Sequence, residues 1–149
     1  MTAAVSQGIP TQLGHVALRV QDVDRAVQFY SEVLGLHLRR RGHVSFLGVR
    51  EDASHELALF PLPEGAAGPD PARVGMYHMA WEMASFEDLE KLHRRLQDHG
   101  ARIVGYSDGQ ANVMFLDPDG NELEAIWEPS EAEQARAREA GTPLPRLAH

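Results

Sequence analysis

Apolar and polar residues alternate in two stretches of the chain, and a segment with helical spacing follows each of them. The alternation covers residues 13–20 and again residues 76–83, and it is typical of a half-buried β-strand. Asp22 and Ser85 then stand where helix N-caps are expected, and a glycine ends each helical pattern. The pattern therefore predicts a strand followed by a helix, twice along the chain.

Short strands are predicted after each helix. Their bounds are about 36–42, 43–50 and 55–62 in the first half, and about 101–106, 111–116 and 121–128 in the second half. The last two strands are separated by Asp117-Pro118-Asp119-Gly120, a sequence with strong turn chemistry. The order of elements predicts an α+β fold of two paired βαβββ modules that form a concave mixed sheet.

The same features divide the chain into segments. We expect an N-terminal tail (1–12), a first βαβββ module (13–62), a linker (63–75), a second βαβββ module (76–129) and a polar C-terminal helical tail (130–149). The linker is rich in proline and glycine, and the tail opens with a capping box of Ser130 and Glu133.

Composition narrows the classes of function. The chain has 149 residues and a formal net charge of −8, and its basic residues are scattered apart from Arg39, Arg40 and Arg41, so nucleic acid is not an expected partner. The absence of cysteine excludes disulfides and thiolate metal sites. No apolar stretch approaches the length of a membrane span, and we expect a cytoplasmic protein without a membrane partner.

The repeat aligns a set of residues that bind metals. His15 and His78 each precede their helix cap by seven positions, and alignment of the final strands pairs Ala58 with Glu124. A histidine on a half-buried strand is more often a hydrogen-bonded core residue than a metal ligand. The prediction of a metal site therefore depends on the two histidines and Glu124 occurring together. Two imidazoles and one carboxylate form the facial triad that leaves open positions on Fe(II) or a related ion. We therefore predict a metal site of His15, His78 and Glu124 within the trough that the concave sheet forms.

Three segments resemble the vicinal oxygen chelate superfamily, which takes in glyoxalase I, bleomycin-resistance proteins, fosfomycin-resistance enzymes and type I extradiol dioxygenases. These segments are GHVALRVQDVDRAVQFYSEVLGL, YHMAWEM and FLDPDGNELEAIW, and the resemblance covers roughly residues 13–128. It implies metal ligands on the first strand of each module and on the last strand of the second. Those positions fall on His15, His78 and Glu124.

The resemblance also separates the branches of the superfamily. Glyoxalase I has a glutamate at the position of Ala58, fosfomycin-resistance enzymes have a threonine at the position of Ala17, and metal-free bleomycin-type binders usually lack the triad. The stretch SHELALFPL, residues 54–62, resembles the extradiol segment whose histidine is the acid–base group, and that histidine maps onto His55. We therefore expect a ring-cleaving dioxygenase that acts on a catecholic aromatic with O2. Fe(II) is the expected cofactor, with Mn(II), Zn(II) and Ni(II) left open.

Several residues qualify this interpretation. Met114 replaces a tyrosine of the extradiol enzymes, and we assign it to substrate binding together with the apolar wall residues Trp81 and Phe46. Strict alternation puts His55 on the face opposite Ala58, so its entry into the trough requires an irregular strand start. Glu56 has the same parity as Ala58 and is the competing acid–base residue.

Other functions remain as alternatives. The chain could be another metal-dependent member of the superfamily, such as a glyoxalase-like isomerase or lyase or a thiol transferase, or a small-molecule-binding resistance protein without turnover. A small-molecule substrate and dioxygen are the expected partners, and a homodimer or higher homo-oligomer is the expected assembly. Whether the modules pair within one chain or between two chains is left open. The remaining histidines are expected to face solvent, namely His37, His43, His93, His99 and His149, although His43 begins a predicted strand and could line the rim of the trough.

Overall fold

The computed structural model describes residues 8–50 and 54–148. The first module contains β1 (Val16–Val20), α1 (Val23–Gln28), a π-helical turn (Phe29–Val33), β2 (His37–Arg40), β3 (Ser45–Gly48) and β4 (Leu57–Pro61). The second contains β5 (Met79–Glu82), α2 (Phe86–Asp98), β6 (Arg102–Gly105), β7 (Ala111–Leu116) and β8 (Glu122–Trp127), and α3 (Glu131–Ala140) follows it. The predicted α+β fold with a repeated βαβββ unit is confirmed.

The two modules share one sheet topology. The strand orders are β1-β4-β3-β2 and β5-β8-β7-β6, and in each sheet the first two strands are parallel while the others are antiparallel. Ala17 lies opposite Ala58 in the first sheet, and Ala80 lies opposite Glu124 in the second. Ala58 and Glu124 are therefore equivalent positions, as the sequence repeat predicted.

The first strand of each module is shorter than predicted. β1 begins at Val16 and β5 begins at Met79, three residues after the predicted starts, so His15 and His78 immediately precede their strands. The described β4 begins at Leu57, whose partner is Val16, and the backbone N–H of Val16 already bonds to the carbonyl of Glu56. For β1 the predicted start was wrong because the apolar pattern continues where the partner strand β4 has ended. β5 also begins later than predicted.

The core lies on the helix-covered side of both sheets. Leu89, Leu92 and Leu96 on α2 are fully buried, and so are the alternate residues of the strands beneath them, including Val113, Phe115, Leu123 and Ala125. Burial of a leucine side chain of this kind stabilises the fold by about 1.5–3 kcal/mol. Because strand side chains alternate, the side chains of Glu122 and Glu124 lie on the opposite face.

Contacts between the modules come from the same helix-covered side and from the turn after β7. The ring of Phe29 is 6.3 Å from that of Phe115, and the hydroxyl of Tyr30 donates to Oδ2 of Asp117 at 2.7 Å. Nε of Arg95 on α2 donates to the carbonyl oxygen of Val33 at 3.1 Å. The sheet faces that carry the candidate ligands take no part in these contacts.

The C-terminal segment combines an exposed helix with a buried anchor. α3 is capped by Ser130 and Glu133 in a capping box and buries none of its residues. Gly141, in the left-handed conformation, ends the helix, and Leu147 beyond it is buried in the core. In the part of the chain that the structure describes, no helix is long and apolar enough to cross a bilayer.

Candidate metal site

The second module brings together two of the predicted ligands. Nε2 of His78, just before β5, lies 3.2 Å from Oε2 of Glu124 on β8, and Nδ1 of His78 lies 3.8 Å from Oε1 of Glu122. Glu124 is only 8% exposed. A carboxylate this deeply buried requires a compensating partner, because removal of its charge from water is costly.

The spacing of these two donor atoms fits a shared cation. Two donors that bind one divalent ion at about 2.1 Å, with an angle of roughly 90–110° between them, lie about 3.0–3.4 Å apart. The 3.2 Å between Nε2 of His78 and Oε2 of Glu124 falls in that range. His78 and Glu124 therefore fit two adjacent ligands of one divalent metal ion.

The other oxygen of Glu124 is held by an amide that the sequence analysis did not single out. Nδ2 of Asn112 on β7 donates to Oε1 of Glu124 at 2.6 Å, and Asn112 is 1% exposed. Asn112 shares its strand parity with Met114, which lies directly opposite Glu124. The signal that could have identified it was an asparagine inside a predicted strand, where this residue type is uncommon.

The first module contains a second cluster. The ring of His55 lies 4.8 Å from the ring of His15, which is exposed, and 4.8 Å from the ring of Phe46. His55 precedes β4, which begins at Leu57, so regular strand alternation does not determine the direction of its side chain. His55 therefore reaches the face that carries Phe46 and Ala58 through the irregular strand start that the sequence analysis required.

One chain divides the predicted triad between two places. We call His15, His55 and Phe46 the histidine half-site, and His78, Glu124 and Asn112 the carboxylate half-site. Among residues 8–50 and 54–148, no group of three His, Asp or Glu side chains is arranged to hold a metal ion. β1 and β5, which lead out of the two half-sites, are both edge strands of their sheets.

The structure also locates the remaining predicted site residues. Oε2 of Glu56 accepts the backbone N–H of Val49 at 2.8 Å and fills the space above Gly48, where a Cβ would lie 2.9 Å from it. Trp81 pairs with Ala125 and packs against the core, on the face opposite Glu124. Alternation from His78 turns residue 81 toward the helix, and the assignment of Trp81 to substrate binding stays a prediction.

Most of the other histidines are where they were expected. His37, His43 and His99 are exposed, and His149 lies outside the described residues. His93 is buried, with Nε2 at 2.8 Å from the hydroxyl of Tyr106, so the expectation that it faces solvent was wrong. The buried stripe of α2 is wide enough to include the residue next to Leu92, and the Tyr106 hydroxyl provides its hydrogen bond.

Two known proteins are similar to this chain in sequence. Biphenyl-2,3-diol 1,2-dioxygenase 3 of Rhodococcus globerulus is 28% identical over 120 residues, which is 78% of this chain and 63% of that protein. Glutathione transferase FosA of Serratia marcescens is 32% identical over 113 residues, which is 75% of this chain and 77% of that protein.

The fold and the family follow from two further matches. A solved glyoxalase/dioxygenase from Nostoc punctiforme superposes with a TM-score of 0.70 and 23% identity, covering 87% of this chain and 99% of that one. The sequence model of the Glyoxalase/Bleomycin resistance protein/Dioxygenase superfamily matches residues 12–125. This span includes the first module, the second module up to the last two residues of β8, and both half-sites. The chain therefore belongs to the glyoxalase/bleomycin resistance protein/dioxygenase superfamily, also called the vicinal oxygen chelate superfamily.

Proposed function

We propose that the protein is a metal-dependent extradiol dioxygenase that cleaves the ring of a catecholic aromatic with O2. The observation that carries the proposal is the contact of His55 with His15 and Phe46, at 4.8 Å between ring centroids in each case. Ring cleavage needs a proton carrier beside the metal-bound substrate, and an imidazole both accepts and donates protons under physiological conditions. The similarity to biphenyl-2,3-diol 1,2-dioxygenase 3 supports the same reaction class.

His15, His78 and Glu124 are the proposed metal ligands. Two neutral imidazoles and one carboxylate suit Fe(II), and the same donors also accept Mn(II), Zn(II) or Ni(II). The bound ion supplies positive charge that favours the deprotonated form of the catechol. The remaining contributions come from the side chains of the chain itself.

His55 is the proposed acid–base residue. The hydroxyl of Ser54 lies 2.9 Å from its Nδ1, which leaves Nε2 to take the proton of a substrate hydroxyl and to return it later. The edge-on contact with Phe46 limits the orientations of the imidazole ring. Glu56 remains the competing residue, although its carboxylate is engaged by the backbone of Val49.

We further propose that the two half-sites are completed between two copies of the chain. The contacts between the modules involve the helix-covered sides and the turn after β7, not the faces that carry the half-sites, and His15 is exposed. The face of the histidine half-site also carries Phe60, which is exposed despite its size. A second copy that joins its carboxylate half-site to this face would cover apolar surface and complete the ligand set.

A second candidate function is the transfer of a thiol to a small electrophile. It is favoured by the similarity to glutathione transferase FosA, three quarters of whose length the chain matches. Met114 favours it as well, because this side chain lacks the hydroxyl group that ring-cleaving enzymes have at the equivalent position.

Oxygen uptake distinguishes the two candidates. Protein purified without oxygen and loaded with Fe(II) should consume one O2 per catechol and release a ring-cleaved product that contains both oxygen atoms. Resorcinol is the matched control substrate, because its hydroxyls are not adjacent and cannot chelate one ion. The absence of oxygen uptake across a panel of catechols would overturn the dioxygenase proposal, and consumption of glutathione with electrophiles would favour the second candidate.

A further inference from the structure

Asn112 has no role in the proposed chemistry, yet both the oxygen and the nitrogen of its buried amide make hydrogen bonds. Its Oδ1 accepts the backbone N–H of Ser107 at 2.8 Å. Its Nδ2 lies 2.6 Å from Oε1 of Glu124, 3.0 Å from Oγ of Ser107 and 3.4 Å from Oε1 of Gln110. Burial of an amide is costly unless its hydrogen bonds are made, so this network specifies one arrangement of the side chain.

The orientation of the amide follows from the backbone. A backbone N–H can only donate, so the atom of Asn112 that contacts the N–H of Ser107 must be the oxygen. The NH2 group is consequently turned toward Glu124. This donor has two hydrogens, and the two shorter contacts, to Glu124 and to Ser107, use both of them.

This contact divides the two oxygens of Glu124 between two tasks. Oε1 is occupied by the amide, and Oε2 lies 3.2 Å from Nε2 of His78. We infer that Asn112 is a positioning residue that presents Glu124 to the metal ion through Oε2 alone. This inference rests on the proposed metal site. Groups that orient a metal ligand in this way commonly change metal affinity by about 10- to 100-fold when they are removed.

Co(II) is a suitable probe, because its visible absorption reports the number and geometry of its ligands without any turnover. Asn112→Leu should raise the dissociation constant for Co(II) by about 10- to 100-fold and alter the absorption spectrum, because both oxygens of Glu124 become available to the ion. Gln97→Leu makes the same kind of change at an exposed site and should retain the parental constant and spectrum. Asn112→Ala, which adds no bulk, provides a second variant if Asn112→Leu does not fold.

A double variant tests whether Asn112 acts through Glu124. In a Glu124→Gln background, Asn112→Ala should not weaken Co(II) binding further, because the ligand that it positions is already lost. An equal loss of affinity in both backgrounds would overturn the inference, as would a parental constant and spectrum in the Asn112 variants. If the parent protein itself binds no Co(II), or binds it equally well after Glu124→Gln, the proposed metal site fails and the inference with it.

Discussion

Glu124 and Ala58 occupy equivalent positions in the two modules, but their surroundings differ. Glu124 is hydrogen-bonded to Asn112 and lies next to His78. Ala58 is buried and lies opposite Phe46 of the histidine half-site. The duplicated unit thus carries a carboxylate on one sheet, whereas beside the other sheet the tilted rings of His15 and His55 lie 4.8 Å apart. The chemistry of the proposed site depends on this asymmetry.

Glu124→Gln preserves the shape of the side chain but removes its charge. Metal content, measured by mass spectrometry of the purified protein, should fall well below that of the parent while the fold is retained, because an anionic ligand is lost. Glu82→Gln makes the same change at an exposed position of β5 and should leave metal content unchanged. Full metal retention in Glu124→Gln would remove this residue from the site.

His55→Gln tests the proposed proton carrier. Metal content should remain parental, while turnover of a catechol should fall by about 100- to 10,000-fold, the range typical of losing a positioned acid–base group. His99→Gln, at an exposed histidine after α2, should turn over normally. Loss of metal in His55→Gln would instead identify His55 as a ligand, and normal turnover would show that it carries no proton in the reaction.

At the scale of elements, the π-helical turn joins the two modules. It contains Phe29 and Tyr30, which contact Phe115 and Asp117 of the second module. Tyr30→Phe should lower the free energy of unfolding by about 1–2 kcal/mol, because the hydrogen bond to Asp117 is lost, as measured by urea denaturation. Tyr77→Phe deletes the same hydroxyl from an exposed residue and should have no effect. Equal stability of the two variants would contradict the role of this hydrogen bond.

The same tyrosine makes stability depend on alkaline pH. Burial, and next the nearby Asp117, raise the pKa of Tyr30 well above its usual value. Above the usual tyrosine pKa of about 10, the unfolded chain loses this proton while the folded chain keeps it. Stability should therefore fall as pH rises past that value, and Tyr30→Phe should show a smaller fall in urea denaturation. An identical alkaline loss in parent and variant would exclude Tyr30 as its source.

Helix capping provides a prediction that compares two helices. Oγ of Ser85 accepts the N–H of Asp88 and caps α2, whose Leu89, Leu92 and Leu96 form part of the core. Ser85→Ala should lower the free energy of unfolding by about 1 kcal/mol in urea denaturation. Ser130→Ala removes the cap of α3, which buries no residue, and should change global stability less. An equal loss in both variants would show that α3 unfolds together with the core.

The order of the elements could be predicted from the sequence because caps, glycine stops and alternation are local signals. Alternation also places Glu124 on the face away from the core, and counted from His78 it turns Trp81 toward the core. Tertiary partners determined the rest. β1 starts where β4 provides a partner strand. His93 is buried, with a hydrogen bond to Tyr106. Asn112 on β7 bonds to Glu124 on β8, a strand that begins ten positions further along the chain.

At the scale of the whole molecule, the modules join through their helix-covered sides and leave the two half-sites on separate faces. The central claim is that His15 of one copy joins His78 and Glu124 of another around one metal ion. The claim accounts for a buried, positioned carboxylate that lies apart from His15 in the described part of one chain.

Subunit complementation of metal binding tests this claim most directly. His15→Ala and Glu124→Ala are expressed separately and then together, with different affinity tags so that mixed dimers can be isolated. Each variant alone should bind no metal tightly. A mixed dimer should bind one ion, because one of its two sites combines the intact His15 of one chain with the intact His78 and Glu124 of the other. Failure of the mixed dimer to bind metal, while the parent binds it, would contradict a site shared between copies.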